Sequence, residues 1–252
     1  MKLPIDIEGI YHDYIEQEND KNVQERYQDK KKYYHISAID MCSRKLYYES
    51  VMQLKPMDKP NKKSSRIMRL GTVVHEDIQK ALTVYSNTVY SNTENSKEKN
   101  QVQKEINIEG EVIIEDLNIR GFYDFVYNKN GVYLFDFKTI GSYPYKLKFG
   151  RNQYADKNYH HEMQIASYGI GVQEEFGRLD GMYLCYYNKD TSVLKTISVS
   201  LSFVEQARRY WEEINQEHEL GLPQFRLGVS PKAEWVCNYC SFASQCGSPY
   251  KK

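Results

Sequence analysis

The spacing of apolar residues changes period several times along the chain, and each change marks an element. After Gly71, the stretch GTVVHEDIQKALTVY sets Val74, Ile78, Ala81 and Leu82 at helical spacing, with His75 beside the stripe. An earlier helix is expected from Ser37, where SAID offers a serine cap with Asp40 three residues on. It should run through MCSRKLYYESVM and stop by Pro56 and Pro60. Strand patterns follow at 103–108, 111–115, 119–128 and 132–138, then a helix centred on HHEMQIASYGIGV. Strands at 181–187 and 193–200 flank Asn188-Lys189-Asp190, and a last long helix opens at Ser202 with Glu205 and closes at Gly221. Helix, meander, helix, strand pair and helix predict an α/β layer fold with a mixed sheet. VYSNT stands at 84–88 and again at 89–93, a small duplication suited to a helix end and an exposed loop. Three regions emerge: a polar segment over 1–34, a core over 35–221, and a tail over 222–252 without periodicity.

Two aromatic-rich runs, GFYDFVYN at 121–128 and YLFDFK at 133–138, surround Lys129-Asn130-Gly131 and read as a hairpin. A three-residue loop with Gly131 left-handed pairs Asn128 with Val132 and Tyr127 with Tyr133. That register sets Asp124 opposite Asp136 and Phe122 opposite Lys138. Alternation puts Asp136 and Lys138 on one face and Phe135 and Phe137 on the other, so a buried aromatic face and a charged outer face are expected. Opposed carboxylates repel, and need a cation or a raised pKa. Lys138 offers one positive charge, and oxygen ligands so placed suit a hard divalent cation such as magnesium. A metal with a lysine beside it points to phosphoryl chemistry. The plain alternative is a D-x-K on the solvated face of an ordinary strand.

Composition narrows the class. At 252 residues and 40% hydrophobic content, the chain can bury a full core, and no apolar run is long enough to cross a bilayer. The acidic, interrupted start MKLPIDIEGIYHDYIEQE is unlike a signal peptide, so a cytoplasmic protein is expected, without membrane partners. Basic and acidic residues number 34 each, so a polyanion must find a local patch. One candidate is Lys55, Lys59, Lys62, Lys63, Arg66 and Arg69. The other is Lys146, Lys148, Arg151 and Lys157, interleaved with Tyr143, Tyr145, Phe149 and Tyr154 as a base-stacking surface would be.

Five cysteines in such a chain argue against disulfides. Cys237, Cys240 and Cys246 are spaced C-x2-C-x5-C and need a fourth ligand to complete a zinc site or a cubane cluster. Cys185 lies in the apolar strand MYLCYY and reads as a small core residue, which leaves Cys42, beside Arg44 and Lys45, as the better fourth ligand. The spacing does not choose between zinc and iron.

In order along residues 35–247 stand CSRKLYY, G-x-x-x-H ending at His75, GFYD at Asp124, DFK at 136–138, Q-x-x-x-Y at Gln164 and Tyr168, and the cysteine triplet. This set resembles the RecB-like branch of the PD-(D/E)XK nucleases, and within it the iron–sulfur members: CRISPR-associated protein four and AddB-type nuclease domains. The resemblance implies a restriction-endonuclease-like mixed central sheet flanked by helices, with a cysteine-cluster tail. It implies that His75, Asp124, Asp136 and the Phe137 carbonyl hold Mg2+ or Mn2+, and that Lys138 acts on the attacking water and the phosphate. Gln164 and Tyr168 would orient the strand and the lysine. Cys42, Cys237, Cys240 and Cys246 would bind a [4Fe-4S] cluster, with Zn2+ the alternative occupant. The chain departs from the pattern in lacking a proline before Asp124 and in having aspartate at 136. The implied activity is a deoxyribonuclease, exonuclease-like, on single-stranded or resected DNA ends, encoded by a cell, a phage or another mobile element. No GxxxxGK[ST] P-loop is present, so unwinding would fall to a helicase, recombination or CRISPR adaptation partner. The competing expectations are a non-catalytic DNA-end binding or spacer-capture module, and a zinc-stapled RNA-processing enzyme.

Overall fold

The computed structural model describes residues 5–26, 33–91, 105–150, 159–229 and 234–248. Its helices are α1 (Ile7–Arg26), α2 (Ser43–Leu46, continued by a π-helical turn over Tyr47–Val51), α3 (Lys62–Ser91), α4 (Ser142–Phe149), α5 (Tyr159–Phe176), α6 (Ser202–Glu219), α7 (Glu234–Asn238) and α8 (Ala243–Cys246). The strands are β1 (Tyr34–His35), β2 (Ile106–Ile114), β3 (Ile119–Asn128), β4 (Val132–Ile140), β5 (Gly181–Asn188) and β6 (Leu194–Val199). They form one six-stranded sheet in the order β1-β3-β4-β5-β6, with β2 also paired to β3. The β4–β5 pair is parallel, while β2–β3, β3–β4 and β5–β6 are antiparallel, which is the expected mixed α/β sheet. A parallel pair needs a long crossover, and the segment containing α4 and α5 supplies it. Among the described residues no helix is long and apolar enough to cross a membrane.

The chain divides into two compact units. One comprises His35–Asp40 and Val74–Gln216 and contains the body of the sheet. Helix α5 packs on β2, β3, β4 and β5, and its Met163, Ile165, Ala166, Ile170 and Val172 are buried with Val112, Ile114, Ile119, Val126, Leu134, Met182 and Leu184 of the strands. Trp211 of α6 is fully buried. Its indole N–H donates to Ser167 Oγ at 2.9 Å, and the Ser167 hydroxyl donates to the Met163 carbonyl at 2.9 Å. A large apolar group thus enters the core with its one polar atom satisfied.

The other unit comprises Met1–Tyr34, Met41–Val73 and Glu217–Lys252. Charge pairs tie α1 to the segment that follows α2: Lys59 Nζ reaches Glu16 at 2.6 Å and Asp20 at 3.1 Å, and Arg66 reaches Glu8 at 3.0 Å. Arg69 lies over the Tyr14 ring. The tail is held by backbone: the Met57 and Asp58 amides both donate to the Ser241 carbonyl, and the Asp58 carboxylate accepts from the Ser244 amide and hydroxyl. Buried His218 bonds Tyr34 Oη at 2.8 Å and Ser43 Oγ at 2.9 Å.

Several elements differ from the sequence pattern, each for a local reason. The helix expected from Ser37 is a 3-10 turn over Ile36–Ala38, because Asp40 turns left-handed (φ 59) and the chain becomes helical again only after Cys42. Helix α3 begins at Lys62 rather than after Gly71, since Asn61 Oδ1 accepts the Ser64 amide as an N-cap; Pro60 stands before the cap and does not interrupt it. Of the two strands expected at 103–108 and 111–115, residues 103–104 lie outside the described residues, and Ile106–Ile114 form one strand, β2, with Glu109 at φ 53 inside it. Ser202 bonds Ser200 Oγ rather than capping α6 with Glu205. Replacing Trp211 by alanine should cost about 3–5 kcal/mol, from lost burial and a cavity. Denaturant unfolding checks this, and a loss below about 1 kcal/mol would contradict the placement of Trp211 in the core.

Candidate active site

The β3–β4 hairpin pairs Asn128 with Val132, Tyr127 with Tyr133, Val126 with Leu134 and Phe125 with Phe135, the expected register over a three-residue loop. Within that loop Asn130, not Gly131, takes the left-handed conformation (φ 57), a role asparagine fills at low cost, while Gly131 sits at φ 155. Asp124 and Asp136 would form the next pair, but the ladder ends before them. On its other edge β3 pairs with β2 on both sides of Asp124 and skips the position where Glu109 stands opposite. Burial tells the same story: Ile119, Tyr123 and Val126 are buried, so the two-residue alternation slips near Asp124. Freed from the ladder pairs, the Asp124 carboxylate accepts the Phe137 amide at 2.6 Å through Oδ2 and stands 3.7 Å from His75 Nδ1 through Oδ1. The His75 ring meets Phe137 edge-on.

The faces of β4 depart from the expected ones at Asp136 and Phe135. Asp136 is only 2% exposed, on the face it shares with buried Leu134 and Ile140. Phe135 is only half-buried, in an aromatic row between Phe125 and Tyr183; Phe137 is buried as expected. Helix α5 packs on β4, and the Asp136 neighbour on β5 is fully buried Leu184. Lys138, one alternation further, pairs with Asp136 Oδ2. Burial nevertheless pushes the Asp136 carboxyl up to about 6, against the pull of Lys138 and with a further push from Asp124. Tyr168 of α5 is buried, and burial and the charge of Asp136 raise its hydroxyl. Gln164 Nε2 donates to Tyr168 Oη at 3.3 Å. A Cβ on Gly121 would fall 2.8 Å from the Tyr168 ring, so glycine there admits the tyrosine against β3. His75, Asp124, Asp136, Phe137, Lys138, Gln164 and Tyr168 are thereby gathered around one end of the hairpin.

Among the described residues no three His, Cys, Asp or Glu side chains stand in the arrangement of an assembled metal site. The carboxylates still fit a divalent cation chemically: buried Asp136 Oδ2 touches the Lys138 ammonium but has no donor in hydrogen-bonding geometry. Cys42, Cys237, Cys240 and Cys246 line one small pocket with Arg44, Lys45 and Arg226. Burial raises the Cys240 thiol, Cys42 and Cys237 raise it further, and Lys45 opposes them. Cys185 is buried in β5 beside Thr196. Of the second basic patch, Arg151, Tyr154 and Lys157 lie outside the described residues. Sequence reasoning passed over His160, His161, Glu162 and Tyr186, which surround Lys148; the doubled histidine one turn before Gln164 was the available signal.

Comparison with known proteins bears on the family and the fold. The model of the PD-(D/E)XK nuclease superfamily matches residues 80–247. That span holds both aspartates, Lys138, Gln164, Tyr168 and the cysteine triplet, and leaves out His75 and Cys42. No curated protein matches. Among solved structures, SSO0001 superposes with a TM-score of 0.50 at 17% identity, covering 93% of this chain and 97% of that one. A "putative exonuclease" from Eubacterium rectale superposes with a TM-score of 0.50 at 12% identity, covering 83% of this chain and 90% of that one. At these identities the likeness is one of fold, and with the family match it makes the mixed sheet restriction-endonuclease-like.

The buried carboxyl has a measurable consequence for stability. Asp136 holds its proton more tightly folded, near pH 6, than at the ordinary carboxylate value of 3.8. Its contribution is therefore most favourable below about pH 4 and is lost as pH rises through about 6, by on the order of 1–3 kcal/mol. In chelator-treated protein, Asp136→Asn should remove that slope, so the variant gains on wild type between pH 4.5 and 7 in denaturant unfolding. Parallel pH profiles would contradict the burial of a charged carboxylate here.

Proposed function

The chain belongs to the PD-(D/E)XK nuclease superfamily, and from that premise we propose that it is a divalent-metal-dependent DNA nuclease acting on free ends, as an exonuclease on single-stranded or resected DNA. The observation that carries this reading is the convergence of Asp124, buried Asp136 and Lys138 at the point where the β3–β4 ladder opens. His75, Asp124, Asp136 and the Phe137 carbonyl would hold Mg2+ or Mn2+, which when bound activates water and polarises a phosphoryl oxygen. The chain's own groups do the rest. Asp124 is aimed by the Phe137 amide. Lys138, paired with Asp136, presents its ammonium to the phosphate, where negative charge grows during displacement. Gln164 fixes Tyr168, whose buried ring supports the strand and the lysine from α5.

The cysteine pocket completes the proposal. Four thiols ringed by Arg44, Lys45 and Arg226 suit a negatively charged thiolate cluster, for which [4Fe-4S] is the proposed occupant and zinc the alternative. Its place is structural: it would fasten α7 and α8 to the start of α2, across a loop whose closure costs an unfolded chain roughly 4–5 kcal/mol of entropy. DNA with accessible ends would come from a helicase, recombination or CRISPR adaptation partner. The second reading, a DNA-end binding module, is disfavoured by the intact Asp124, Asp136 and Lys138 set.

Asp124→Ala, Asp136→Ala and Lys138→Ala should each abolish cleavage of end-labelled DNA, as should chelation of the metal, while binding persists. A Lys138→Ala protein cleaving within a few-fold of wild type would overturn the assignment. Cys42→Ala, Cys237→Ala, Cys240→Ala and Cys246→Ala should each bleach the brown colour of anaerobically purified protein and lower solubility, whereas Cys185→Ala should keep the colour. A colourless preparation with stoichiometric zinc would reassign the occupant.

A further inference from the structure

Beside Lys138, on the same unit, lies a cluster that the proposed chemistry does not use. Lys148 near the end of α4 has its side chain 11% exposed, and its ammonium stands 5.0 Å from the centre of the Tyr186 ring. Tyr186, paired with Lys138 across the β4–β5 ladder, is fully buried and packs edge-on against Phe149. Its hydroxyl lies 3.1 Å from His161 Nδ1, and the His160 and His161 rings are 4.1 Å apart. Burial, and after it the charges of Lys138 and Lys148, disfavour the protonated form of both imidazoles. Two lysines therefore share a corner with two imidazole rings that can donate hydrogen bonds.

Among the described residues the anion facing Lys148 is Glu162, and the match is poor. Their closest approach is 3.8 Å, beyond a charge-assisted hydrogen bond. Burial is the largest influence on both groups, pushing Lys148 down and Glu162 up, so each resists the charge the pair requires. A half-buried pair with long geometry recovers little of its desolvation cost. Such a lysine is better satisfied by a group bearing a full charge and several acceptor oxygens, able to accept from the neighbouring imidazoles as well.

We propose that Lys148 and His160 form a second phosphodiester-binding subsite next to Lys138, and that Glu162 occupies Lys148 in the free protein and is displaced when nucleic acid binds. The subsite rests on the nuclease reading, because Lys138 is what sets the reacting phosphate beside it. Glu162 is then an internal competitor: it keeps Lys148 paired when no strand is present and weakens binding of any strand that must displace it.

The test is a double-mutant cycle on metal-free protein, binding a fluorescent single-stranded oligonucleotide by anisotropy across a salt series. Glu162→Gln should tighten binding roughly three- to tenfold, and Lys148→Met should weaken it by a similar factor and lower the salt slope by about 1, one phosphate contact. In the Lys148→Met background Glu162→Gln should have no effect, since the competitor has nothing left to mask. His160→Ala should weaken binding without changing the slope. A purely structural pair predicts otherwise: Glu162→Gln would lower the melting temperature and leave affinity unchanged, which would overturn the subsite. If binding responds to neither residue while Asp136→Ala abolishes cleavage, the subsite falls and the nuclease stands. Absence of both binding and cleavage in every variant, wild type included, would overturn the nuclease reading and the subsite with it.

Discussion

A carboxylate held out of water at Asp136 is the constraint around which the sheet is arranged. Removing such a charge from solvent costs on the order of several kcal/mol, and one lysine beside it offsets only part. The remainder must come from the apolar scaffold: Leu134, Ile140 and Leu184 around it, α5 above it, and Trp211 locking α5 through Ser167. The second carboxylate adds to the load, because the break in the β3 ladders brings Asp124 close enough to push Asp136 toward its neutral form. A site with two close acids and one lysine is electrostatically incomplete, and that incompleteness is a reason for it to capture a cation.

The hairpin register was legible because it depends on counting. Strand parity and a three-residue loop suffice to set Phe125 against Phe135, one step short of Asp124 and Asp136. Which face was buried was not legible, since parity says only that Asp136 and Phe135 point apart. The decision belongs to α5, and both α5 and the aromatic row across Phe125, Phe135 and Tyr183 offered an apolar surface. The serine-aspartate signal at Ser37 misled for another reason: the left-handed turn at Asp40 is a local choice that a capping pattern does not forbid. That His161 and Lys148 meet was hidden because their common partner, Tyr186, comes from a strand reached only through the crossover.

The amino-terminal stretch teaches a related lesson. Its composition reads as polar and unpatterned, yet residues 7–26 form one helix whose Glu8, Glu16 and Asp20 meet Arg66 and Lys59. Each exposed pair is weak, so the set orders the helix without greatly stabilising it. The pairs also change the reading of the first basic patch. Lys59 and Arg66 already face carboxylates, which leaves that segment a poorer polyanion surface than its sequence suggests.

The slip of alternation at Asp124 divides tolerance to change into two kinds. Along the half-exposed aromatic row, one ring can replace another without moving the carboxylates, because Phe135 points to the opposite face of β4 from Asp136. A change in length is different. Deleting a single residue between Phe125 and Asn128, or between Val132 and Phe135, would turn an acid to the wrong side while leaving composition and hydrophobicity almost untouched. Over this hairpin, relatives should therefore diverge freely in the identity of their aromatic residues and hardly at all in their number.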